Sequence, residues 1–127
     1  MLNTVFKKIF GDKNEKATKG LWPVVEEINS IYETLKDLSD DELRNKTAEF
    51  KQKIQDETAE IRNRIEELKT QLHEVQSSGE KHSIYDEIEE LEKDLDEKYQ
   101  EVLDEILPEA FAVVKDTCRR LVGKTWN

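Results

Sequence analysis

The stretch from Ile54 to Val75 limits what this chain can fold into more than any other. Ile54, Ile61, Leu68 and Val75 recur every seven residues, and Thr58, Ile65 and Leu72 hold the complementary positions between them. Apolar residues at that 3,4 spacing make a stripe along one side of an α-helix, and the stripe needs a second one to cover it. The cover follows in the same chain: Ile84, Ile88, Leu91, Leu95, Val102 and Ile106 repeat the spacing, with Tyr99 beside them. Between the two lies "QSSGEKHS", where Gly79 suits a left-handed C-cap and Ser83 with Asp86 suits a new N-cap. So short a connection predicts an antiparallel helical hairpin that buries stripe against stripe. At about 1.5 Å per residue, residues 83 to 107 make an arm of roughly 37 Å.

For the rest of the chain, long helices explain the composition better than a sheet dotted with turns. Four Gly and two Pro leave few breakers, and 35% hydrophobic against 39% charged residues is lean for a large central core. The expected class is all-α, with short helices accompanying the long coiled-coil-like hairpin. Leu2, Val5, Phe6, Ile9 and Phe10 recur at helical spacing with Lys7 and Lys8 between them, a short basic amphipathic helix. "GDKNEKATKG" then has two glycines and no large apolar residue and reads as a flexible connector. Val24, Val25, Ile28, Ile31, Tyr32, Leu35 and Leu38 mark a helix from Trp22 to Leu38, with Pro23 tolerated in its first turn. Ser39 and Glu42 form a capping-box pair that opens the next helix at about Asp40. Pro108 is expected to interrupt the return arm, and a last helix follows with Phe111, Val114, Cys118, Leu121 and Val122 on one face and Gly123 as its stop. The segmentation is therefore 1–20, amphipathic helix and connector; 21–56, helices leading into the hairpin; 57–103, hairpin; and 104–127, closing helix.

Charge is distributed unevenly. The net −10 comprises +3 over residues 1–20, −3 over 21–53, −12 over 54–107 and +2 over 108–127. Phosphate repulsion along the acidic middle disfavours nucleic acid as a partner, and an anionic partner should meet the ends. No apolar run approaches the roughly 18 residues that span a bilayer. "MLNTVFKKIF" lacks the apolar core and cleavage site of a signal peptide, so a cytoplasmic location is expected.

No Walker A loop, dinucleotide fingerprint, nucleophile elbow or paired metal-binding motif occurs in the sequence. The carboxylates fall on solvated helix faces with no pocket to shift their pKa values, which argues against acid–base catalysis. Cys118 sits on an apolar stripe with no His near in sequence to activate it, and reads as a packed small hydrophobe. His73 and His82 flank the hairpin turn without companion ligands and read as surface residues, and Arg119 and Arg120 as a solvated last helical turn favourable to the dipole. No catalytic, cofactor or metal residue is expected. The basic amphipathic start fits either a helix packed on this or a neighbouring domain or a peripheral anchor, in which Lys7, Lys8, Lys13, Lys16 and Lys19 meet anionic lipid.

Three stretches together resemble the amino-terminal end of the SecA family of bacterial preprotein translocase ATPases. They are "MLNTVFKKIFGDKNEK", similar to the family's basic amphipathic start, "LSDDELRNKTAEFKQKI" and "LPEAFAVVKDTCRR". The resemblance covers residues 1–56 and 104–127; residues 57–103 depart from the typical family pattern and look like a lineage-specific helical hairpin of the kind found in Bacteroidetes-like members. It implies an amino-terminal fragment, not itself an enzyme, of a cytoplasmic subunit peripherally associated with the inner membrane. The parent would use ATP and magnesium to drive preprotein through the SecYEG channel. By the same resemblance, Leu2, Val5, Phe6, Lys7, Lys8, Ile9 and Phe10 match the segment implicated in anionic-lipid binding, channel contact and pairing into a homodimer. A reading of a different class is a stand-alone coiled-coil adaptor or dimerisation module with a membrane-touching amino terminus.

Overall fold

A computed structural model describes residues 13–125 of the chain. The amphipathic segment with Leu2, Val5, Phe6, Lys7, Lys8, Ile9 and Phe10 lies outside the described residues. Among the described residues there are three helices and no strand: α1 (Lys13–Leu35), α2 (Asp40–Glu74) and α3 (Ser78–Leu121). The all-α expectation holds.

The helix boundaries follow local chemistry, in two places not as the sequence suggests. Ser39 caps α2: its hydroxyl accepts the Glu42 N–H at 3.2 Å, and the Glu42 carboxylate accepts the Ser39 N–H at 2.7 Å. That reciprocal pair satisfies two otherwise orphaned donors, as the motif predicts. At the other end no left-handed glycine is used. Val75 turns to extended backbone, its N–H donating to the Gln71 carbonyl at 3.1 Å, and α3 begins at Ser78 with Gly79 inside its first turn. Ser77, whose carbonyl accepts the Lys81 N–H, takes the place expected of Ser83. The stretch read as a connector is also helical from Lys13 onward, through Gly20. A glycine weakens a helix interior by only about 1 kcal/mol, which flanking turns can offset.

Pro108 does not interrupt α3, which is continuous over 44 residues. A proline inside a helix removes one backbone hydrogen bond and costs about 3 kcal/mol. Here its ring is buried, and the apolar area removed from water works against that cost. Gly123, by contrast, ends the helix as expected: its φ of 80° lies in the left-handed region, and the Lys124 N–H donates to the Leu121 carbonyl.

The chain forms two compact units. One is Ser39–Leu107. Its core is the predicted seam, with Ile65, Leu68 and Ile88 buried and Ile61, Leu72, Ile84, Leu91 and Leu95 packed against them. Leu43, Thr58, Val102 and Ile106 are buried as well, and the Thr58 hydroxyl donates to its own helix at the Ile54 carbonyl, 2.7 Å away. Ion pairs across the seam join Lys53 to Glu105, Glu57 to Lys98 and Arg64 to Glu87, so early α2 meets late α3 and the arms are antiparallel. These pairs have at least one solvent-exposed partner each and add little, so the apolar seam sets the register.

The other unit brings the described residues up to Leu38 together with those from Pro108 onward. Here α1 and the last turns of α3 run in the same direction: Lys115 donates to the Asn29 side chain, and Arg120, five residues on, to the carbonyls of Leu35 and Leu38. Leu35, Ala112 and Asp116 are its buried residues besides Pro108.

Candidate functional site

The chemistry of the second unit is concentrated on Asp116, an acid with no exposed surface. It follows Pro108 and Ala112 at intervals of four along α3, so all three share the inward face. An ionised carboxylate in such a place needs partners on both oxygens. It has them: the Arg119 Nε donates to one at 2.7 Å and the Arg120 Nε to the other at 2.8 Å. The Arg120 Nη2 donates to the Leu38 carbonyl at 2.6 Å and the Leu35 carbonyl at 3.2 Å. The last carbonyls of a helix lack intrahelical partners. One side chain thus caps the end of α1 while its charge is balanced by Asp116.

Burial pushes the Asp116 carboxyl up, but the hydrogen bonds and charges of Arg119 and Arg120 outweigh it and hold the group below the ordinary carboxylate value. A carboxylate so engaged is a poor proton acceptor at neutral pH, and the arrangement is a clamp. Beside it the Lys115 ammonium lies 4.4 Å from the centre of the Tyr32 ring and that of Lys36 4.8 Å, a cation–π arrangement on the α1 flank.

The clamp corrects two expectations. Arg120 is not a solvated end-of-helix charge, since its side chain keeps only 16% of its exposure. The stripe of Phe111, Val114, Cys118 and Val122 is not the buried face of its helix: Phe111 is 57% exposed, Val114 60% and Val122 81%, and Cys118 is exposed too. The physical reason is that Ala112, the small residue on the opposite side, admits close packing, and Asp116 brings its own counter-charges inward. Leu21 and Trp22 on α1 are also more than half exposed, so this unit presents two apolar flanks to solvent. Sequence reasoning missed Asp116, although "DTCRR" places arginines three and four residues after an acid, the spacing at which helical side chains meet.

His82 pairs loosely with Asp86 at 3.8 Å on the surface, and His73 lies along the hairpin. Among the described residues no group of three or more His, Cys, Asp or Glu could hold a metal ion, and no helix is long and apolar enough to cross a membrane.

Residues 6–126 match the family model described as the SecA DEAD-like domain. The "Protein translocase subunit SecA" of Salinibacter ruber is 43% identical over 94% of this chain, and that of Chloroherpeton thalassium 46% identical over 94%. The protein of the same name from Phocaeicola vulgatus is 43% identical over 93%. The chain spans 11–12% of the length of these three relatives. No solved structure matches it. With the family model running across the clamp and the hairpin alike, the chain belongs to the SecA DEAD-like domain family.

Proposed function

We propose that this chain acts as part of a SecA-type protein translocase subunit, one that couples ATP hydrolysis with magnesium to the passage of preprotein through the SecYEG channel. The observation that carries the reading is identity above 40% to translocase subunits over more than nine-tenths of the chain. That similarity favours the translocase over a coiled-coil adaptor. Within the subunit this stretch holds no nucleotide, because it has no Walker loop, and contributes helical support. The decisive experiment replaces the matched stretch of the Chloroherpeton thalassium subunit with this chain and measures ATP-dependent preprotein uptake into inverted membrane vesicles. Retained uptake is expected; a folded, soluble hybrid without uptake overturns the proposal.

The contact with membrane or channel is assigned to Leu2, Val5, Phe6, Lys7, Lys8, Ile9 and Phe10. Their apolar side would enter the headgroup region while the lysines meet anionic lipid, each contributing on the order of 1 kcal/mol near the surface. This makes the subunit cytoplasmic and peripherally membrane-associated, and the same segment is available for pairing into a homodimer. Binding to anionic vesicles and not to zwitterionic ones is expected, weakening with salt. Unchanged binding after deletion of residues 1–10 would refute the anchor.

A further inference from the structure

The amphipathic start of the chain and the first half of α1 carry the same spacing. Leu2, Val5, Phe6 and Ile9 follow one another at steps of three, one and three, and so do Thr18, Leu21, Trp22 and Val25. On a helix such steps gather each set on one face, over about 10 Å of its length. The α1 face is open. Thr18 is exposed, Leu21 keeps 61% of its exposure, Trp22 56% and Val25 38%. Between Ala17 and Val25 the one charged residue is Lys19, which is paired with Glu15 at 4.0 Å, so covering this face buries no unpaired charge.

The position of the amino-terminal stripe in the chain singles it out as the cover. Only Gly11 and Asp12 separate Phe10 from the start of α1 at Lys13. A reversal there sets the stripes antiparallel, with Ile9 opposite Thr18, Phe6 opposite Leu21, Val5 opposite Trp22 and Leu2 opposite Val25. Gly11 tolerates the left-handed backbone on which short helix–helix turns rely. A segment tethered this closely also meets its surface at an effective concentration of about millimolar, which a separate molecule rarely matches. The apolar flank of α3 has no such counterpart, since Phe111, Val114, Cys118 and Val122 follow steps of three, four and four.

We infer that residues 2–10 dock on the Thr18–Val25 face of α1, a self-covered state that competes with lipid for the same side chains. The competition rests on the assignment of these residues to the membrane contact; the docking does not. Leu2, Val5, Phe6 and Ile9 cover α1 or enter the headgroup region, and cannot do both. A contact of so few side chains leaves docked and open states comparably populated, and the open fraction sets the apparent affinity for lipid.

The test uses the whole 127-residue chain carrying Trp126→Phe, which leaves Trp22 as its one tryptophan. Acrylamide quenching of Trp22 without lipid reads the docked state. Removing residues 1–10 is expected to raise quenching about 1.5-fold, the rise that emptying a half-populated cover gives. Phe6→Asp should act in the same direction, and Thr4→Asp, on the opposite side of the segment, should not. Leu21→Gln, at an exposed position, should raise quenching in the full chain but not in the chain lacking residues 1–10. Unchanged quenching on removal of residues 1–10, or an equal effect of Leu21→Gln in both chains, overturns the inference. Quenching that rises on dilution of the full chain would mean that a second copy covers the face, and overturns it too. Affinity for anionic vesicles is measured separately, and Leu21→Gln should raise it about twofold by freeing the segment. Failure of the Trp22 measurements leaves the lipid contact standing, whereas absent vesicle binding with Trp22 covered refutes the lipid contact and leaves the docking.

Discussion

Asp116 shows how much one side chain can decide. Removing one member of a buried ion pair typically costs about 3–5 kcal/mol, because the remaining charge stays without its partner. Asp116→Ala should therefore lower the unfolding free energy by about 3 kcal/mol, read from urea midpoints, and Arg120→Ala by a comparable amount since it also uncaps α1. Arg119→Ala should cost less, because that side chain is 44% exposed. The clamp also has a pH signature. Its carboxyl is held below the ordinary value, so its contribution is present at and above the ordinary carboxylate range and is lost as pH falls through the depressed value. The stability of Asp116→Ala should accordingly fall less steeply with acid than that of the unaltered chain. Cys118 supplies a second prediction at this scale: being exposed, it should react with a thiol reagent in the native chain as fully as in the unfolded one.

Whole elements are governed by stripes and caps. The seam of α2 and α3 was readable in the sequence because a seven-residue repeat has a single structural solution, and the Ser39 box marked where α2 begins. The other boundaries were harder to read, because helix breakers act only where packing does not oppose them. Gly20, Gly79 and Pro108 all lie within helices. Neither glycine has a neighbour within 4 Å of an added Cβ or a positive φ, so Gly20→Ala and Gly79→Ala should each stabilise the chain by about 0.5–1 kcal/mol, additively in thermal unfolding. A left-handed C-cap at Gly79, as the sequence suggested, would give the opposite sign at that position.

At the scale of the molecule, the notable property is apolar surface without cover. Leu21, Trp22, Phe111, Val114 and Val122 are all more than half exposed in the unit that holds the Asp116 clamp. Apolar patches of this kind mark contact surfaces or association. The chain should bind a hydrophobic fluorescent dye in its native state, and Trp22→Ser with Phe111→Ser should reduce that signal while leaving the unfolding midpoint within about 0.5 kcal/mol, since neither side chain is in the core. A large midpoint shift would show that these residues are packed after all.

The sequence by itself determined the all-α class, the antiparallel hairpin and the family, because periodic apolar spacing and long specific motifs are local patterns that one chain displays in full. Only the tertiary structure decided which face of the last helix turns inward. Periodicity favoured Phe111, Val114 and Cys118, the more apolar side. The inward face is Pro108, Ala112 and Asp116, because Ala112 permits close approach and Arg120 can reach both Asp116 and the carbonyls of Leu35 and Leu38 at the end of α1. That outcome depends on contacts across more than eighty residues of chain, which no local pattern encodes.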